Sequence, residues 1–155
     1  MKRGEIWTVA GEGDYDGKPR LFRAYFARGA AEHGYDDGTL APTALVASIA
    51  FAPEIVLPAM QEVTHRFGSH IYSKYGFLDA FNPSFNFNVP LEHGRCIPGF
   101  GWVASDYLGI DQGPIVAMIE NHRSELVWRT MHKSAHLRRG LERAGFTGGW
   151  LGATA

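Results

Sequence analysis

Apolar and polar positions alternate briefly at the start of the chain and then change period. GEIWTVA, residues 4–10, reads as a short strand, and GEGDYDGKPR after it is a loop rich in Gly, Asp and Pro. Residues 21–38 are aromatic and glycine-rich, without a regular period. Helical spacing begins at Pro42-Thr43, with Leu45 and Ile49, and resumes with Ile55, Val56, Met60 and Val63. This second helix is predicted to end near Phe67-Gly68, where glycine suits the left-handed position. A long loop follows over residues 69–106, with a helical turn expected at LDAF. GIDQGPIVAMIENHRSELVW, residues 109–128, then predicts a helix running to about Lys133. Pro114 belongs in its first turn and Asp111 or Gly113 at its cap. AHLRRGLERAGF closes the chain as a helix with a basic face. The pattern predicts a mostly α protein with long loops and a short N-terminal strand segment.

Two stretches resist this simple reading. Residues 40–60, LAPTALVASIAFAPEIVLPAM, hold a single charge in 21 residues, about the length of a membrane span. Pro42, Pro53 and Pro58 would break one continuous helix, so two short buried helices meeting near Phe51-Ala52-Pro53 are expected, and no membrane partner. In the third helix, Glu120 stands among Val116, Ala117, Ile119 and Val127. A carboxylate so placed is either paired or held for chemistry.

Composition narrows the class. The chain has 155 residues, suited to one domain, and is 45% apolar. Its net charge of −1 and scattered basic residues give no footprint for nucleic acid. Cys96 is alone, which excludes an internal disulfide. The N-terminus has no apolar leader core, and the compartment stays open.

Aromatics make up 13% of the chain, and several fall in Gly/Pro/Asn-rich stretches where no core period demands them. Four clusters combine them with carboxylates and turn residues: YDDGTLAPTA, YGFLDAFNPSFNFN, WVASDYLGIDQGP, and Glu120 with Asn121. Carboxylates ahead of helices, beside aromatic rings and amides, suit a carbohydrate. Sugar C–H faces stack on rings, and hydroxyls need paired donors and acceptors. Candidate binding residues are Asp36, Asp37, Asp79, Phe81, Asn82, Trp102, Tyr107, Asp111 and Gln112. Asp36 and Asp37 equally suit a turn cap, and Asp79 the cap of a short helix. Glycosidic cleavage needs two carboxyl groups, one protonated and one ionised. Asp111 and Glu120 are candidates, but on one helix they point to opposite sides about 13 Å apart along the axis, too poorly matched for one acid–base pair. Glu120 equally suits a structural pair with Arg123. His132 and His136 lack the acid of an HExxH zinc motif, and no phosphate loop or nucleophile motif is present, so neither metal nor cofactor is expected.

FRAYFARGA, DDGTLAPTALVASIAFAPE, YGFLDAFNPSF and YLGIDQGPIVAMIENHRSELVW, in this order, resemble the C-terminal part of the glycoamylase-like domain. That family includes β-1,2-glucan-degrading glycoside hydrolases and the related domain of cyclic β-1,2-glucan synthases. The resemblance spans residues 21–151. It implies a partial (α/α)6 toroid, a β-glucan partner, and a cleft lined by the GIDQGP turn at the start of an inner helix. Glu120, deeper along that helix, is expected to brace the site. A dozen helices need at least about 200 residues, whereas about five helical segments are legible here. The resemblance therefore places the general acid and base outside this chain. It also implies an uncovered apolar face prone to self-association, or a non-catalytic binding or packing fragment.

Residues 1–20, MKRGEIWTVAGEGDYDGKPR, are similar instead to the opening of MazF-type endoribonuclease toxins, which would set Arg20 at a catalytic arginine position. The expected division is an N-terminal strand and loop over residues 1–20 and a glycoamylase-like part over residues 21–155.

Overall fold

The computed structural model describes residues 7–9, 20–22, 37–86, 91 and 93–152. Two antiparallel strands come first, β1 (Trp7–Val9) and β2 (Arg20–Phe22), with Trp7 opposite Phe22. The predicted strand is present, and a partner strand lies where an irregular run was expected.

The apolar run over residues 40–60 folds into α1 (Pro42–Ala47) and the start of α2 (Pro53–Ile71). Each begins with a proline, whose missing N–H costs nothing in a first turn. No helix among the described residues is long and apolar enough to cross a membrane. Gly68 does not end α2. The helix continues to Ile71, which is wholly buried, because packing outweighs glycine's weak preference for stopping a helix.

The stretch expected to be a long loop is organised by short strands. A tight pair, β3 (Tyr72–Ser73) and β4 (Gly76–Phe77), leaves α2, and LDAF leads into β5 (Phe81–Asn82) rather than forming a helical turn. Further on, β6 (Arg95–Ile97) and β7 (Gly101–Val103) complete a three-stranded antiparallel sheet in the order β5-β7-β6. Phe81 faces Val103 and Asn82 faces Trp102 across the central pair. Strands this short escape a periodicity test, since two or three residues carry too little alternation to be seen.

The third predicted helix is two. α3 (Gly109–Ser124) begins after Leu108 rather than at a cap on Asp111 or Gly113, so Asp111 lies within its first turn. Pro114 is inside the helix. α3 stops at Glu125, a non-glycine residue at φ 57°, and α4 (Leu126–His132) follows at once. Wholly buried Asn121 holds this joint: its side-chain oxygen accepts the N–H of Trp128 at 3.1 Å. α5 (Ala135–Arg143) is capped by Ser134, whose hydroxyl accepts the Leu137 N–H, and a short 3-10 turn spans Gly149–Leu151. The protein is thus mostly helical, with a small sheet between α2 and α3.

The main core joins α1, α2, the sheet and α3. Val46, Ile71, Phe77, Leu78, Phe81 and Val103 are buried together, with Phe67, Phe100, Ile115 and Ile119 packed against them. The Phe67 ring lies 5.0 Å from Phe81 and 5.9 Å from Phe100. Trp102, Phe85, Ala80 and Ala104 form a second buried group on the sheet's other side.

Candidate active site

Four separated segments meet at the end of the molecule where α1 and α3 begin. Leu40 pairs with Phe81 through reciprocal backbone hydrogen bonds of 2.8 and 2.9 Å. Ala104 donates to Ala80, and Asp79 donates to the Asp106 carbonyl at 3.2 Å. Thr43 on α1 donates its hydroxyl to the Asp79 carbonyl, and Gln112 on α3 donates its amide to the Phe77 carbonyl at 3.0 Å. Three of the clusters read from sequence are therefore laced together by main-chain carbonyls and short polar side chains.

Asn82 is the tightest of these ties. It is 1% exposed, and both ends of its amide are engaged. Its nitrogen donates to the Asp37 carbonyl at 2.8 Å and to the Thr39 hydroxyl at 3.1 Å. Its oxygen accepts the N–H of Ser84 at 2.9 Å and the Ser84 hydroxyl at 2.6 Å. An amide so saturated has no capacity left for a sugar hydroxyl. Asn82 shapes the loop instead of touching a ligand, which corrects its expected binding role.

Phe81 and Trp102 need the same correction. Phe81 is 1% exposed and Trp102 wholly buried, with its indole N–H donated to the His93 carbonyl at 3.0 Å. Neither offers a ring face. Their aromatic character in a Gly/Pro/Asn-rich sequence serves a core built from short strands. The exposed rings at this end are others: Tyr75, 65% exposed, meets Tyr107 edge-on with centroids 5.5 Å apart. The Tyr107 hydroxyl is hydrogen-bonded to that of Ser73, and the Lys74 ammonium stands 5.1 Å from the Tyr75 ring centre. Tyr75 opens the YGFLDAFN motif, and its place in the two-residue turn between β3 and β4 was the signal available for it.

The carboxylates divide. Asp37 accepts the Thr39 N–H at 3.0 Å, the turn-capping arrangement. Asp36 lies outside the described residues. Asp79 is half-buried, with its backbone on Asp106 and Thr43. Asp111, in the first turn of α3, has a carboxylate oxygen closed off from solvent and without a hydrogen-bond partner. The helix's unpaired N–H groups favour a negative charge at that place. Glu120, by contrast, is paired on its own helix. Its carboxylate accepts the Ser124 hydroxyl at 2.6 Å and pairs with Arg123 at 3.5 Å. The side chain is 39% exposed, so it is neither deep nor braced against the loops, contrary to expectation. The acid among apolar neighbours is a local pair.

No group of three His, Cys, Asp or Glu residues that could hold a metal occurs among the described residues. The His132 ring stacks on Trp150, with centroids 4.4 Å apart.

The chain matches a known family. The glycoamylase family model, described as "Putative glucoamylase", matches residues 3–135. The chain belongs to that family. The match begins at residue 3, so it takes in nearly all of residues 1–20. The chain is 31% identical over 108 residues to an exo β-1,2-glucooligosaccharide sophorohydrolase (non-reducing end) of Parabacteroides distasonis, covering 70% of this chain and 13% of that protein. An endo-β-1,2-glucanase from Chitinophaga pinensis, solved with sophorotriose and glucose, is 34% identical. It superposes with a TM-score of 0.62 over 81% of this chain and 26% of its own. A β-1,2-glucanase from P. distasonis is 25% identical with a TM-score of 0.58, over 89% of this chain and 16% of its own. The chain thus spans 13% of the sophorohydrolase and about a quarter of the Chitinophaga enzyme.

Proposed function

We propose that this chain forms the sugar-contacting loop end of a β-1,2-glucan-active glycoside hydrolase domain of the (α/α)6 toroid type. One observation carries the reading. Four sequence-distant segments are pinned together at the start of α3, beside exposed Tyr75, half-buried Tyr107 and the half-buried side chain of Asp111. A half-buried carboxylate in the first turn of a helix can accept a sugar hydroxyl, and an exposed ring presents a face for C–H stacking. The names of the relatives, which act on β-1,2-glucans or bind sophorotriose, support the linkage.

In this reading Asp111 contacts substrate, Tyr75 and Tyr107 supply the stacking surface, and Asp37 and Asp79 shape the rim. Gln112 fixes the α3 start against β4. Asp111 remains the candidate for a chemical role in this chain. Glu120, already engaged by Ser124 and Arg123, is set aside as acid or base. With the partner carboxyl group outside the chain, binding without appreciable turnover is expected from the chain alone.

The test is calorimetric titration of the folded chain with linear β-1,2-glucooligosaccharide and with a β-1,3-linked control. Saturable heat with the first alone, lost in Asp111→Ala, supports the reading. Equal or absent responses to both would favour a fragment that only packs.

A second reading concerns the chain by itself. Phe51, Ile55, Ile110 and Val116 are each at least 66% exposed. Apolar side chains presented this openly favour self-association of the isolated chain.

A further inference from the structure

The turn between β3 and β4 consists of two exposed residues, Lys74 and Tyr75. The hairpin beneath them is held from several sides. The Tyr72 ring meets that of its register partner Phe77 edge-on, with centroids 4.9 Å apart. The Ser73 hydroxyl is hydrogen-bonded to that of Tyr107, and Gln112 of α3 donates to the Phe77 carbonyl. The backbone of the turn is thus fixed, and the freedom at this end belongs to the long side chain of Lys74.

Lys74 has no carboxylate within ion-pair distance among the described residues. Its ammonium stands over the Tyr75 ring instead, 5.1 Å from the centroid. At an exposed site such a contact is weak, so a ligand can displace it. Lysine carries three donors on a flexible stem and no acceptor. A sugar stacked by its C–H face on Tyr75 spreads its hydroxyls around the rim of the ring, where the displaced ammonium can reach them. Hydrogen bonds from a charged donor are stronger than the cation–π contact given up. They are also directional, whereas stacking tolerates rotation of the sugar over the ring.

We propose that Lys74 is a substrate-binding residue. It swings from the Tyr75 ring to donate to hydroxyls of the glucose unit stacked there, and so fixes how that unit is turned. The inference rests on the reading of Tyr75 as the stacking surface of a β-1,2-glucan site.

The experiment is calorimetric titration of the full chain with linear β-1,2-glucooligosaccharide, comparing wild type, Lys74→Met, Lys74→Arg and Tyr75→Ala. Methionine keeps an unbranched stem and removes the ammonium, while arginine keeps the charge and the donors. Lys74 is exposed, so both of its variants should melt within a degree or two of wild type. Lys74→Met should weaken binding about tenfold, and Lys74→Arg should recover most of the loss. Tighter binding by Lys74→Met would mean that the ammonium only competes for the ring, and would overturn the proposal. Unchanged affinity in Lys74→Met would overturn it too, but would leave the sugar site standing if Tyr75→Ala still weakens binding. Absence of binding by the wild-type chain would overturn this inference together with the reading beneath it. Proton resonances of the Tyr75 ring follow the swing itself. Those of wild type and Lys74→Met should differ in the free chain and converge at saturation with sugar. A difference that persists at saturation would place the ammonium still on the ring and sink the proposal.

Discussion

The side-chain amide of Asn82 donates to the backbone carbonyl of Asp37 at 2.8 Å, across 45 residues of sequence. This bond and its partner to Thr39 tie the DDGT turn to the sheet that carries YGFLDAFN. Two motifs that looked like independent ligand sites are thus one piece of architecture, and the position of either depends on the other.

Replacing Asn82 by leucine keeps the volume and removes every one of these contacts. The Asp37 carbonyl and the Ser84 N–H would lose their partners, a loss expected to destabilise by about 2–4 kcal/mol. Urea unfolding of the variant checks this, and an unchanged midpoint would mean that water replaces the amide without penalty.

Gly101 opens β7 at φ +124°, and a Cβ there would fall 2.2 Å from the Asn82 carbonyl oxygen. Neither the backbone angle nor the contact tolerates alanine. Gly101→Ala should cost about 2–3 kcal/mol or more, visible as a lower thermal midpoint and as altered fluorescence from buried Trp102. Gly113→Ala is the control, because open space surrounds that position and alanine favours a helix.

Glu125 holds a left-handed backbone, φ 57°, at the α3–α4 joint. Glycine adopts that conformation without the Cβ clash, so Glu125→Gly should stabilise by about 0.5–1 kcal/mol despite glycine's freedom in the unfolded chain. A loss of stability in chemical denaturation would show instead that the Glu125 side chain contributes to the joint.

Asp111→Asn and Glu120→Gln separate the two acids of α3. Neutralising Asp111 removes only its favourable charge at the start of α3, so its amide variant should lose no more than about 1 kcal/mol of stability while losing oligosaccharide affinity. Glu120→Gln weakens only a half-exposed pair with Arg123 and a hydroxyl contact. It should change stability as little and leave affinity intact. Parallel melting and titration curves read both quantities, and the reverse pattern would exchange the assignments.

The tyrosine pair gives a further check. Tyr75→Ala removes an exposed ring in contact with Tyr107 and Lys74. Melting should shift by no more than a surface substitution does, while affinity for β-1,2-linked oligosaccharide falls about three- to tenfold, as for the loss of one aromatic contact. Retained affinity would move the sugar surface away from this end.

The sequence by itself determined the helical framework. Proline-led starts at Pro42 and Pro53 and apolar spacing through α2 and α3 are local properties, so the period alone reveals them. The motif strings also named the family, because DDGT, YGFLDAFN and GIDQGP persist in order. Tertiary structure decided what each motif residue does. Phe81, Trp102 and Asn82 sit in strands of two or three residues, whose burial comes from cross-strand partners far away in sequence, and composition beside a turn cannot distinguish a ring in a core from one at a cleft. The break at Glu125 was equally hidden, since its left-handed backbone is held by Asn121 capping the next helix and carries no glycine to announce it. Glu120 looked chemical because its neighbours are apolar, yet a helix brings Arg123 and Ser124 three and four positions away onto its side. Only the folded helix shows that these engage it, while one oxygen of the acid nine residues earlier is left without a hydrogen-bond partner.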